Sequence, residues 1–133
     1  MSELRMFVNG QAMSGGSINF ALQGATFLGP ARTSAKYRFH SFRDEFPGLR
    51  VAGPAEQGHA VPGEVYQVTY DILRQHLLPN EPPELELTVI ELEDGSGSLC
   101  MQVREGAHEF DGVVDISDRG GWREYLRSIG SNQ

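Results

Sequence analysis

The chain has 133 residues, of which 39% are hydrophobic, and its formal net charge is −7 at pH 7. A chain of this length buries roughly two-thirds of its unfolded surface, which is enough for one packed interior and too little for two. Its negative charge disfavours nucleic acid and anionic membranes, because both repel a protein of the same sign. The sequence therefore predicts a single domain over 1–133 with no nucleic-acid partner and no membrane partner.

Cysteine and histidine content limits the chemistry further. Cys100 is the only cysteine, which excludes an intramolecular disulfide framework and a thiolate metal cluster. No pair of histidines has the spacing of metal ligands, so we expect no metal and no cofactor. The first residues lack the basic and apolar regions of a secretion signal, which predicts a cytoplasmic protein.

A glycine-rich loop follows the first predicted strand, whose apolar residues are Leu4, Met6 and Val8. Glycine permits positive φ angles and a close approach by a ligand, and successive free N–H groups form a concave site for an anion. Ser17 is a good N-cap for the short helix expected over 17–23. The loop is either a binding site for a carboxylate or carbamate, or a plain strand-to-helix turn that requires small residues. In the first case its ligand-binding residues are Asn9, Gly10, Gln11, Ala12, Met13, Ser14 and Gly15.

Short strands are predicted through the first half of the chain. Those over 25–28 and 37–42 are separated by turn residues and could form a loose hairpin. Further strands are expected over 46–51 and 60–68. The helical period over 70–78 predicts a helix that ends before Pro79. This helix separates the first strands from those that follow.

The second half begins with a predicted hairpin over 85–103 that turns at Asp94-Gly95. The apolar alternation changes phase at Ile90, which predicts a bulge before that turn. A strand over 113–116 and a helix from Gly120 complete the chain. Short strands and helices in no regular alternation predict an α+β domain with a curved or closed, mainly antiparallel sheet.

The terminal motif D-I-S-D-R-G-G-W-R-E-Y-L at 115–126 is similar to the closing signature of the allophanate hydrolase C-terminal domain. Further landmarks of that family occur in the same order along nearly the whole chain, at 8–15, 24–25, 37–39, 47–51, 63–65 and 83–95. The resemblance implies a gamma-glutamylcyclotransferase-like fold. Such a fold is a small mixed, mainly antiparallel β-barrel of six to seven strands, with flanking short helices and a cavity at one end.

The same resemblance implies a site. It places the first loop and Pro47-Gly48 at the cavity, with Tyr37 and Arg50 as further ligand contacts. Gamma-glutamylcyclotransferases use a glutamate just past the helix that follows the G-E-V-Y-like strand as a general acid or base, and Glu81 lies in that region. Two features depart from their pattern, namely the P-P pair at 82–83 and N-G-Q-A-M in the first loop.

Three other side chains are candidates by their chemistry. Arg50 can hold a carboxylate through two parallel hydrogen bonds, or it is a strand arginine that extends into solvent. Glu64, in an otherwise apolar strand, is either a catalytic carboxylate or the structural partner of Arg38 or Arg50. His40 can donate a proton near neutral pH. The candidate catalytic residues are therefore Glu64, His40 and Glu81.

The resemblance implies alternative functions. In some members the domain decarboxylates the N-carboxycarbamate that an amidase releases, and in others it helps assembly. The first alternative is a small anionic ligand, a carboxylated nitrogen compound of carbamate or amide type, with an accessory lyase or hydrolase activity in urea or amide catabolism. The second is a non-enzymatic module that pairs with an amidase or forms a homodimer. A gamma-glutamylcyclotransferase-like enzyme is a further alternative, whereas amidase activity is not expected because the sequence lacks the amidase Ser-Ser-Lys signature.

Overall fold

A computed structural model describes residues 4–130, in which short strands and helices alternate irregularly. This order confirms the predicted α+β class. The strands are β1 (Leu4–Val8), β2 (Thr26–Arg32), β3 (Tyr37–Phe42), β4 (Phe46–Val51), β5 (Pro62–Val68), β6 (Leu85–Glu91), β7 (Gly97–Val103) and β8 (Val113–Asp115).

The helical segments are short. The helix α1 begins at Tyr70–Ile72 and continues as a π-helix over Leu73–Leu77 and a 3-10 turn over Leu78–Asn80. The Thr69 hydroxyl caps α1 by accepting the N–H of Ile72 at 3.1 Å. Proline is tolerated at the start of a helical turn because no donor is needed there, so the helix does not end before Pro79 as predicted. The other segments are 3-10 turns at Asn19–Leu22 and Ala107–Glu109, and the terminal helix α2 (Trp122–Ser128).

All eight strands belong to one mixed sheet in the order β2-β5-β1-β7-β4-β3-β8, with β6 paired to β7. Among the described residues, β7 pairs in parallel with β1 and β4, and the other strand pairs are antiparallel. The mixed, mainly antiparallel sheet is thus confirmed, with eight strands where the resemblance implied six to seven. The sheet is not closed, although an isolated bridge between Thr33 and Leu92 joins the ends of β2 and β6.

The hairpin predicted from 25–28 and 37–42 is wrong. Strand β2 pairs with β5, and β3 lies between β4 and β8. Most of β2 is exposed, whereas β3 is buried along nearly its whole length. Strand β3 therefore occupies an interior position in the sheet, whereas β2 lies at an edge of it.

The bulge predicted at Ile90 is also wrong. The register between β6 and β7 is unbroken from Leu85 opposite Val103 to Glu91 opposite Gly97. The phase of burial changes because β6 serves two apolar clusters. Leu85 packs in a small cluster, while Ile90 and Leu92 pack in the main core. The small cluster consists of Phe42, Phe46, Leu85, Val103 and Ala107.

Gly63 allows β5 to lie close to β1. A Cβ atom there would collide with the main-chain oxygen of Val8 and lie 2.6 Å from Cζ of Phe7. Since Val8 belongs to an interior strand that cannot move away, we expect Gly63→Ala to lower the free energy of unfolding by about 3 kcal/mol in urea denaturation. Gly97→Ala is the control, because its Cβ would be 3.4 Å from Cγ1 of Val89. Equal losses in the two variants would contradict the argument.

None of the helices between residues 4 and 130 is long and apolar enough to cross a membrane.

Candidate functional site

A narrow cleft lies where the chain leaves β1 and enters the first loop. Its volume is about 20 Å³, which is room for about one water molecule. The loop residues 9–12 line one side, and Pro47, Glu81 and Cys100 come from three other parts of the chain. A Cβ atom at Gly10 would lie 2.5 Å from Cδ of Pro47, so glycine is needed for the loop to meet β4.

The loop uses part of its main-chain donors for its own turns. Met13 donates its N–H to the oxygen of Gly10 at 3.0 Å, and Gly16 donates to Met13 at 2.9 Å. Among residues 4–130, no acceptor binds the N–H groups of Gly10, Gln11 and Ala12. These three residues line the cleft, so we expect their N–H groups to be available to a ligand there.

Glu81 brings an acid to the same cleft. It follows α1 and its last turn, where its N–H donates to the oxygen of Leu78 at 3.1 Å. Its side chain is partly buried, and no donor in the described part of the chain bonds to its carboxyl group. Burial raises the pKa of Glu81 from 4.5 to about 7. A large fraction of the molecules therefore carries a protonated Glu81 at neutral pH, which suits a general acid.

Cys100 is buried and lines the cleft. Burial, reinforced by the nearby Glu81, raises the pKa of its thiol far above the physiological range. The thiol donates to the oxygen of Met101 at 3.2 Å, and Asn9 Nδ2 approaches the sulfur at 4.0 Å. Cys100 is therefore an inert apolar residue of the core.

Glu64 lies beneath the loop and does not line the cleft. Its side chain accepts the N–H of Ser14 at 2.8 Å, the Ser14 hydroxyl at 2.7 Å, the Tyr66 hydroxyl at 3.2 Å and Nη2 of Arg123 at 3.0 Å. Burial opposes its ionisation, yet the Ser14 donors and the Arg123 guanidinium outweigh burial and lower the pKa of Glu64. The carboxylate is therefore charged and connects β5, the loop and α2.

Arg50 and His40 form a separate cluster on β3 and β4. Both terminal nitrogens of Arg50 donate to Glu56 at 2.7 Å, and its Nε donates to Nε2 of His40 at 3.0 Å. Burial, with the positive charge of Arg50 adding to it, lowers the pKa of His40 to about 4 although Asp115 opposes the shift. His40 is thus neutral at pH 7, and the Arg50 guanidinium is already paired with a carboxylate.

The predicted site residues fall in different places. Asn9, Gly10, Gln11, Ala12, Pro47 and Glu81 come together in the cleft, whereas Met13, Ser14 and Gly15 lie on the α2 side of the loop. Tyr37 is buried, and its hydroxyl accepts the N–H of Glu91 at 2.8 Å. The space beside Gly48 is filled by Leu85 and Val103. Of the candidate catalytic residues, Glu81 lines the cleft, while Glu64 and His40 do not.

Arg123 is the residue that the sequence argument missed. It lies next to Trp122 in the G-G-W-R motif, whereas the sequence predicts Arg38 or Arg50 as the partner of Glu64. In the structure Arg38 bonds to Asp115 and Arg50 to Glu56. A buried strand glutamate followed much later by a motif arginine was the available signal, but it does not say which arginine is the partner.

The described residues 4–130 contain no group of three His, Cys, Asp or Glu side chains that could hold a metal ion.

The fold is gamma-glutamylcyclotransferase-like. An aig2-like protein from Mus musculus superposes with a TM-score of 0.59 at 19% identity, over 80% of each chain. At this identity the likeness shows the fold alone. The family follows from the sequence, since residues 4–127 match the model of the allophanate hydrolase C-terminal domain. The chain belongs to this family.

Its relatives differ greatly in length. A urea amidolyase from Lachancea kluyveri is 30% identical over 106 residues, which are 77% of this chain and 6% of that protein. Kluyveromyces lactis allophanate hydrolase has a TM-score of 0.87 at 27% identity, over 97% of this chain and 22% of that one. A uropathogenic E. coli-specific protein has a TM-score of 0.86 at 32% identity, over 96% of this chain and 98% of that one. The chain thus spans a small part of the first two proteins and nearly all of the third.

Proposed function

We propose that this domain binds a small carboxylated nitrogen compound of carbamate or amide type at the cleft and assists its decarboxylation. The observation that carries the proposal is the meeting of Glu81, an acid with a raised pKa, with the unpaired N–H groups of 10–12. Membership in the allophanate hydrolase C-terminal domain family supports the substrate class, because the full-length relatives are named for allophanate and urea.

The chemistry divides between donors and acid. The ligand loses one carboxylate as CO2 and keeps another. The loop N–H groups stabilise the negative charge of the carboxylate that is kept. As the bond between nitrogen and the departing carboxylate breaks, its electron pair stays on nitrogen, and the departing group leaves as CO2. The nitrogen takes the proton of Glu81, and the resulting Glu81 carboxylate recovers a proton from water. The net reaction consumes one proton and needs no redox partner.

The ligand must widen the cleft, since its present volume of about 20 Å³ holds about one water molecule. Gln11 is the partly exposed loop side chain in the lining, so its rotation disturbs the core least. The protonated Glu81 adds no negative charge to repel an anion. Binding is therefore favoured at a pH below the Glu81 pKa of about 7.

The test supplies the carboxylated substrate in situ from a separate amidase that hydrolyses allophanate, and CO2 release is followed by mass spectrometry. The wild-type domain should accelerate release, and Glu81→Gln should slow the domain-dependent rate by about 100-fold. The wild-type rate should fall as the pH rises through about 7, because the protonated form of Glu81 is then lost. An undiminished rate in Glu81→Gln, or no acceleration by the wild-type domain, would overturn the proposed function.

A further inference from the structure

A second depression lies on the other side of the first loop, which we call the α2 groove. It is lined by loop residues 10–16 except Ala12 and by Trp122, Arg123, Leu126 and Arg127 of α2. Its volume of about 340 Å³ is within the range of small-ligand sites. The groove shares Gly10 and Gln11 with the Glu81 cleft, so the loop is a wall between the two.

The charges in the α2 groove have one sign. Its lining includes two arginines and no acidic side chain, in a chain with 18 Asp and Glu residues and a net charge of −7. Arg123 and Arg127 are four residues apart on a helix, which places them side by side on one face. Each arginine has one carboxylate partner outside the lining, Glu64 for Arg123 and Glu124 for Arg127, and each keeps further N–H donors for a ligand.

Arg123 has unused hydrogen-bonding capacity. Its Nη2 alone donates to the oxygen of Ser14 at 2.6 Å, the Ser14 hydroxyl at 3.2 Å and Glu64 at 3.0 Å. No acceptor within residues 4–130 binds its Nη1 or Nε, and 47% of its side chain is exposed. The contacts through Nη2 hold the guanidinium in place, so the N–H groups of Nε and Nη1 are available to a ligand at little further entropic cost.

Arg127 and Gly15 also have N–H groups without an acceptor in the described chain. Arg127 donates through Nη1 to Glu124 at 3.0 Å on the exposed surface, and no other acceptor for its guanidinium lies in the described chain. The N–H groups of Ser14 and Gly16 are taken by Glu64 and Met13, whereas the N–H of Gly15 has no acceptor in that same span. Gly15 lies at φ +84 with open space beside it.

We propose that the α2 groove is a second anion site, which binds a small carboxylate or carbamate between Arg123, Arg127 and the main chain at Gly15. On Arg127, Nε and Nη2 have no acceptor in the described chain and lie on one edge of the guanidinium, so they can donate two parallel N–H bonds to a carboxylate. The site goes beyond the proposed function, because it does not involve Glu81. It would hold an anionic molecule on the outer side of the loop that forms the cleft.

Trp122 is the only tryptophan of the chain and lines the α2 groove, so its fluorescence reports occupancy. We would titrate the protein with sodium malonate at constant ionic strength and expect a saturable change. Arg127→Gln and Arg123→Lys should each raise the apparent Kd by about fivefold or more. The lysine in Arg123→Lys keeps a cation for Ser14 and Glu64, but it lacks the Nε and Nη1 donors that would bind the ligand. Arg104→Gln removes a charge that bonds to Glu86 outside the groove and should bind malonate like the wild type.

Further outcomes separate this site from the Glu81 cleft and from general anion binding. Glu81→Gln should leave the malonate titration unchanged, so loss of the signal in that variant would overturn the groove assignment. Sulfate that binds as tightly as malonate would overturn the carboxylate assignment. The absence of a saturable signal in the wild type, or equal affinity in Arg127→Gln, would also overturn it. CO2 release tests the proposed function independently of these outcomes.

Discussion

Glu81→Gln is expected to raise the free energy of unfolding, relative to wild type, by about 3 kcal/mol more at pH 8 than at pH 4. At pH 4 the carboxyl group is mostly protonated in both the folded and the unfolded wild type, so its ionisation contributes little to the difference. The reason is the burial of an acid that has no hydrogen-bond donor among the described residues, which raises its folded-state pKa to about 7. Glutamine has nearly the same shape and does not ionise.

The sign follows from the two states of Glu81. The unfolded chain ionises at the ordinary pKa of 4.5, and the folded protein at about 7. The folded state therefore binds more protons between these values, and its stability falls as the pH rises through that window. Each unit of pKa difference corresponds to about 1.4 kcal/mol, so most of the loss is complete near pH 7.

The measurement is urea denaturation of both proteins at pH 4, 6 and 8, with the difference between them taken at each pH. This difference removes the contributions of His40 and other groups that titrate in both proteins. Glu105→Gln is a matched control, because it removes one exposed carboxylate of the same length. A difference between wild type and Glu81→Gln that does not change with pH would show that Glu81 ionises as freely as an exposed residue.

Trp122→Ala is expected to lower the free energy of unfolding by about 3–5 kcal/mol, the cost of removing a large buried aromatic side chain. Trp122 is 2% exposed in the main core, and its ring lies 5.9 Å from that of Tyr125. The turn before it is equally restricted, since Gly121 has φ +103 and a Cβ atom there would lie 2.7 Å from Cγ of Pro62. The start of α2 thus lies against the first residue of β5.

Trp122→Phe is the informative partner variant. The indole Nε1 is buried without an acceptor in the described structure, so phenylalanine removes an unsatisfied donor as well as part of the ring. We expect it to lose less than half as much stability as Trp122→Ala in the same urea denaturation. Equal losses would mean that the indole N–H contributes a bond within the fold.

Burial of Trp122 also changes how partner binding must be tested. Pairing with an amidase or with a second copy of the chain stays a prediction, and a loss of association in Trp122→Ala would reflect unfolding of α2. The exposed Phe20, Phe27 and Leu28 near the edge strand β2 are better positions for substitution.

The candidate site was predictable from the sequence in part. The loop after β1 was found because its glycines mark a place where the chain turns sharply and exposes main-chain donors. Glu81 was found through its place after α1 in a resemblance, although neither its burial nor its raised pKa could be derived from Pro82 and Pro83 beside it. Arg50 had the right chemistry for an anion, but Glu56, only six residues away, occupies both of its terminal nitrogens.

The sequence by itself determined the α+β class, the strand positions and the family, because alternation, turn residues and motif order are local properties of the chain. Only the tertiary structure decided which strands are neighbours and which carboxylate lies in the cleft. Glu64 bonds to Arg123, 59 residues away, which stabilises its ionised form under the loop. Glu81 has no such partner within residues 4–130 and keeps its proton more readily. These two glutamates differ in burial and in the donors around them, and both properties arise from contacts between distant segments.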